Sequence, residues 1–111
     1  MDLVLLYSTW PDAASAEACA AALIDAETAA CATVLAGGRS FYRWEGRLET
    51  TQEAVLLVKT PASAAEAARG LILARHPYAL PCVLAIPVDP AGSHGPYLAW
   101  ALEMTLRKCG R

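Results

Sequence analysis

Thiol pairs, imidazoles and charge are what this chain is short of, and each shortage excludes something. Its four cysteines, Cys19, Cys31, Cys82 and Cys109, stand far apart with no CxxC pair. Iron–sulfur spacing and the thiol pair of a copper chaperone are therefore absent. Isolated cysteines in a reducing compartment serve as small core residues rather than as bridges. Only two histidines, His76 and His94, are available. No spacing around them, or around Glu45, Glu49 and Glu53 beside the predicted hairpin, yields a nucleophile elbow, a P-loop or a catalytic carboxylate pair. The chain is expected not to be an enzyme. Charged residues make up 18% of the chain, the net charge is −2 and the basic residues are scattered. That pattern gives no nucleic-acid footprint. The opening MDLVLLYSTW carries an acid, no basic run and too short an apolar stretch for a signal or a membrane span. A cytoplasmic location without a membrane partner is expected.

What the chain has in excess is apolar surface. Hydrophobic residues make up 56% of its 111 positions, above the usual range of about 45–50%. Alanine supplies 24 of them, which adds little core volume. The whole chain, 1–111, reads as one domain. Leu3 to Thr9 is an apolar strand, and Asp12 is placed to cap a helix running from Ala13 to about Ala30. Ala16, Ala20, Leu23 and Ile24 form that helix's apolar stripe. Cys31 to Leu35 reads as a strand, Gly37-Gly38 as a bend or bulge, and Ser40 to Trp44 as its continuation. Glu45-Gly46-Arg47 turns the chain into a return strand, Leu48 to Lys59. A second helix is expected from Thr60 as cap and Pro61 as first residue, with Ser63 and Glu66 as an alternative capping box, and it must stop near His76 before Pro77. Cys82 to Val88 is a fourth strand. A closing helix, Tyr97 to Lys108, carries Leu98, Leu102 and Leu106 on one face.

This β-α-β-β-α-β-α order is the ferredoxin-like arrangement, an α+β fold with an antiparallel sheet and helices on one face. Such strands should alternate apolar and polar. These do not: Leu3, Leu5 and Tyr7 oppose Val4 and Leu6, and Leu84 and Ile86 oppose Val83 and Ala85. A second apolar sheet face must be covered by something, and a closed homo-oligomer is the predicted cover. Base-stacking aromatics are missing from the central strand Gln52–Val58, which argues against RNA binding on this fold.

Two segments stand out as sites. In SFYRWEGRLE, Tyr42 and Trp44 share one strand face, with Arg43 and Glu45 beside them. Tyr, Trp and Arg are the residue types of interface anchors. In RHPYALPC, Pro77 and Pro81 stiffen the route from His76 through Tyr78 to Cys82. An imidazole and a thiol suit copper or zinc, although a structural site usually takes four ligands.

Together, Pro11-Asp12, Ala29-Ala30-Cys31-Ala32, Tyr42-Arg43-Trp44-Glu45-Gly46, Val55–Thr60, His76-Pro77-Tyr78 with Pro81, Ile86-Pro87-Val88 and Tyr97-Leu98-Ala99-Trp100 resemble the CutA divalent-cation tolerance family. The resemblance implies a tight homotrimer like the PII signalling proteins, with the hairpin reaching a neighbouring subunit. It implies tolerance of divalent metals, copper especially, and no established reaction. Two departures are visible: Trp10 stands where copper-binding relatives can carry a cysteine, and Cys82 where many carry a glutamate. The candidate metal ligands are then His76 and Cys82. The candidate ligand or interface residues are Tyr42, Arg43, Trp44, Glu45, Lys59, Tyr78 and Trp100. Two further readings remain open: a sensor that holds a small anionic metabolite between subunits through Lys59 or Arg43 with Trp44, and a stable trimeric scaffold for a partner protein.

Overall fold

The computed structural model describes residues 2–109, and the side chains of residues 2–105. Leu106 on the last helix and Cys109 therefore lie outside the described side chains. The elements are β1 (Leu3–Trp10), α1 (Ala13–Asp25), β2 (Cys31–Trp44), β3 (Arg47–Pro61), a 3-10 turn (Ala62–Ala64), α2 (Ala65–Arg75), β4 (Val83–Pro87) and α3 (Gly95–Cys109). The four strands form one sheet in the order β2-β3-β1-β4, and every pairing is antiparallel. This is the ferredoxin-like βαββαβ order with an added helix.

Helix α1 starts as its sequence dictates. Asp12 Oδ1 accepts the Ser15 amide at 2.7 Å, which satisfies one of the donors a helix start leaves open. The helix ends at Asp25, short of the expected Ala30. Glu27 turns left-handed with φ 58°, and the Thr28 amide and hydroxyl both return to the Leu23 carbonyl, each at 3.2 Å. This cap overrides the helix propensity of the alanines that follow. The buried stripe is Ala16, Cys19 and Leu23, whereas Ile24 is 43% exposed and faces outward.

Thr60 and Pro61 do not open the second helix. Both remain in β3, because the Thr60 hydroxyl donates to the Thr28 carbonyl at 2.6 Å and ties the strand end to the α1–β2 junction. Helix α2 instead begins through the 3-10 turn, with Ala64 at its N-cap and no side-chain cap bond. Its end at Arg75, with His76 extended at ψ 132°, is where Pro77 demands it.

Strands β2 and β3 make a hairpin much longer than the sheet. The register slips by one residue between Leu35↔Val55 and Gly38↔Glu53, the bulge that the paired glycines predict. Gly37 has φ +83°, and a Cβ on Gly38 would lie 2.7 Å from the Glu53 carbonyl oxygen. Glu45 and Gly46 close the tip, both with positive φ, the geometry that matches strand twist in a two-residue turn. Residues 41–50 are all exposed.

Helices α1 and α2 cover one sheet face. Leu6, Trp10, Leu56 and Val58 pack there against Cys19, Leu23, Ala68 and Ile72. Helix α3 lies on the other face, with Tyr97 and Leu98 beside Leu3, Leu5 and Lys59. It covers only part of it. Leu35, Leu84 and Ile86, which the register places on that same face, are 51%, 54% and 43% exposed.

Gly38→Ala is expected to destabilise the fold by about 1–3 kcal/mol through backbone displacement at the bulge. Denaturant unfolding measures it, and an unchanged midpoint contradicts the close approach.

Candidate functional site

The site begins where β4 stops. Its pairing with β1 ends at Ser8↔Val83, so Thr9 and Trp10 have no β4 neighbour on that edge. The segment from His76 to Cys82 fills the gap. His76 Nε2 lies 2.7 Å from the Thr9 carbonyl, and its Nδ1 lies 3.2 Å from the Tyr78 amide. A carbonyl only accepts and an amide only donates, so Nε2 carries the hydrogen and Nδ1 the lone pair. The ring also packs against two aromatic rings, Trp10 at a centroid distance of 4.2 Å and Tyr78 at 4.8 Å. Trp10 is 1% exposed and donates its indole N–H to Ser8 Oγ at 2.8 Å. Position 10 is thus filled by a core indole.

Tyr78, held by this stack, turns its hydroxyl to Glu53 Oε2 at 3.1 Å. Burial first, then the Glu53 carboxylate, push its phenol up to about 12. Tyr78 forms one wall of a cleft of about 650 Å³, and Tyr42, Trp44, Glu49 and Glu53 of the hairpin form the other. Thr9, Leu80 and Cys82 are also in its lining. The Tyr42 hydroxyl is paired with Thr51 Oγ1 at 3.0 Å, which fixes the ring along the strand.

Of the residues singled out in the sequence, Tyr42, Trp44, Tyr78 and Cys82 come together here. The others do not. Arg43 donates to the Gly46 carbonyl at 3.2 Å and clasps the hairpin tip, and Glu45 forms that tip. Lys59 belongs to a second hollow of about 210 Å³ on the other part of the sheet, with His94 among its lining residues. Its Nζ is 5.4 Å from the Tyr97 ring centroid and 3.8 Å from Cys31 Sγ. Trp100 packs on Tyr97 at 5.6 Å. His76 is buried and is not part of the cleft lining. Glu49 and Glu53 are cleft residues that composition alone presents as a solvated strand face. Their signal is the pairing Tyr42↔Glu49 together with the two-residue period of β3.

Among the described residues, no group of three or more His, Cys, Asp or Glu side chains is placed to hold a metal ion. Cys82 offers one thiol, and His76 has both nitrogens engaged within the chain. Within a single chain this donor set does not fit a copper or zinc centre.

Tyr78→Phe is expected to remove the highest-titrating phenol from an alkaline ultraviolet titration. The sign follows from the raised value: the Tyr78 contribution to stability is complete below pH 10 and is lost as the pH rises toward 12. A wild-type curve with every phenol near the ordinary value of about 10 contradicts this burial.

The comparisons with known proteins agree with the geometry. The family model described as CutA1 divalent ion tolerance protein matches residues 4–104. The divalent-cation tolerance protein CutA of Pectobacterium atrosepticum is 40% identical over 106 residues, covering 96% of this chain and 94% of the relative. The crystal structure of CutA from Xylella fastidiosa is 44% identical, covers 91% of this chain and 95% of its own, and superposes with a TM-score of 0.83. The divalent cation tolerance protein of Thermus thermophilus is 37% identical over 93% of this chain and 97% of its own, also at a TM-score of 0.83. By sequence, by the full run of elements and by superposition, this chain belongs to the CutA1 divalent ion tolerance family.

Proposed function

We propose that the chain acts as a closed homotrimer in divalent-cation tolerance, in the cytoplasm and without catalysing a reaction. The observation that carries this reading is the sheet face opposite α1 and α2. Helix α3 leaves Leu35, Leu84 and Ile86 exposed, and an apolar patch on a sheet is what monomers avoid. The hairpin supports it. A two-stranded ribbon is marginal in water on its own, yet this one projects with Phe41 and Leu48, on the face away from the cleft, more than half exposed. Packing against a neighbouring copy would stabilise both features at once.

Copper or zinc at His76 and Cys82 belongs to this reading only as a shared centre. Further donors would come from a second copy, and His76 would give up one of its two hydrogen bonds. The sensor reading is less well supported in its anionic form. Arg43 and Lys59 are in different places, and the cleft holding Trp44 is lined by two carboxylates with neither Lys nor Arg.

Light scattering on the eluting protein is expected to give three times the 11.7 kDa chain mass. Leu84→Asp should shift it toward the single-chain mass, and a wild-type monomer at micromolar concentration overturns the assembly. Calorimetry with copper(I) and zinc, on wild type, His76→Ala and Cys82→Ala, tests the shared centre. Binding weaker than about 10 μM, worth only ~7 kcal/mol, or equal in all three proteins, removes those residues from metal handling.

A further inference from the structure

We infer that the cleft between the hairpin and the Pro77–Cys82 segment is a binding site for an organic dication, a diamine with ammonium groups on an apolar stem. Volume, lining and charge lead to the same ligand chemistry. At about 650 Å³ the cleft is in the range of small-molecule sites. Its walls present three aromatic rings, Tyr42, Trp44 and Tyr78, and its two ionisable carboxyl groups are Glu49 and Glu53. Aromatic faces attract ammonium groups through the ring quadrupole, and carboxylates bond them with charge assistance. An anion finds no basic partner in this lining. A neutral ligand leaves two carboxylates to be desolvated without compensation.

Spacing separates an organic dication from a metal ion. Glu49 and Glu53 lie on β3 four residues apart, so their Cα atoms are about 13 Å from each other. That distance does not suit chelation of one metal ion, whose oxygen ligands sit within about 2–2.6 Å of it. It does suit an extended molecule with a charge near each end. The stem would then cross the rings, where Leu80 of the facing segment adds apolar surface. Glu53 is held in place by the Tyr78 hydroxyl, which leaves its other oxygen for a ligand. The indole of Trp44 is 55% exposed and so has surface to give.

The test uses the assembled wild-type protein and 1,6-diaminohexane as the probe in calorimetry, with 1,6-hexanediol and adipate as neutral and anionic counterparts of the same length. The diamine is expected to bind with a dissociation constant below about 1 mM, and the diol and the diacid not to bind. Glu49→Gln and Glu53→Gln, which keep the side-chain shape, should each weaken the diamine about tenfold. Glu17→Gln on the exposed side of α1 should not. Melting temperature and solution mass of each variant check that fold and assembly are retained. The proposal is overturned if the diol binds as well as the diamine, if Glu17→Gln weakens binding as much as the cleft variants, or if no diamine binds. It is equally overturned if zinc occupies the cleft and the diamine does not compete with it.

Discussion

The imidazole of His76 holds the functional end of this molecule together. Strand β4 is too short to accompany β1 to its end, which leaves the Thr9 carbonyl and the Trp10 region without a neighbour on the β4 edge. One ring repairs both deficits. Its Nε2 hydrogen satisfies the carbonyl at 2.7 Å, and its face covers the indole at 4.2 Å. Its other nitrogen takes the Tyr78 amide, so the segment after Pro77 is pinned in the one direction that brings Tyr78 to Glu53. Cleft wall, tyrosine environment and helix stop all follow from that placement. A buried polar group left without a partner costs about 1–3 kcal/mol, which is why a ring with both a donor and an acceptor suits this corner better than an aliphatic would.

Trp10 and His76 also explain each other. A cysteine at position 10 would leave the imidazole face uncovered and its surroundings less filled. With an indole there, the pair packs as a core unit, and the indole N–H is consumed by Ser8 Oγ. The imidazole becomes a positioning group for Tyr78, with its coordinating lone pair already in use. The soft donor that remains, Cys82, is exposed at the end of the same segment. In this chain the histidine serves the fold, and the chemistry available to a ligand comes from the hairpin that faces it.

Much of this was legible in the sequence where local rules act alone. Asp12 as a cap, Pro77 as a stop, Gly37-Gly38 as a bulge and Glu45-Gly46 as a turn are each decided within a few residues, and each is found where expected. The departures come where a side-chain hydrogen bond overrides the local propensity. The α1 alanines favour continuing the helix, yet the Thr28 cap on Leu23 ends it. Thr60-Pro61 reads as a helix start, yet the Thr60 hydroxyl is claimed by Thr28 across the sheet end. The cleft was half legible: Tyr42, Trp44, Tyr78 and Cys82 stood out by residue type. Glu49 and Glu53 did not, because only the pairing of β2 with β3 turns a solvated acid into one that faces an aromatic wall.

The same logic bears on how the molecule divides its two apolar surpluses. The face covered by α1 and α2 is closed within the chain, with Leu6, Leu23, Leu56, Val58 and Ile72 almost fully buried. The opposite face is closed only in part, where α3 packs against β1 and β3. A sheet cannot leave Leu35, Leu84 and Ile86 open and also extend a hairpin with Phe41 and Leu48 into water without a compensating contact. Both surpluses lie on elements that continue past the covered core, so one neighbouring copy can meet both. The cleft, by contrast, is walled by two segments of one chain and carries charge inside it. The two carboxylates in its lining, Glu49 and Glu53, set it apart from the apolar face and make a ligand, rather than another sheet, its natural complement.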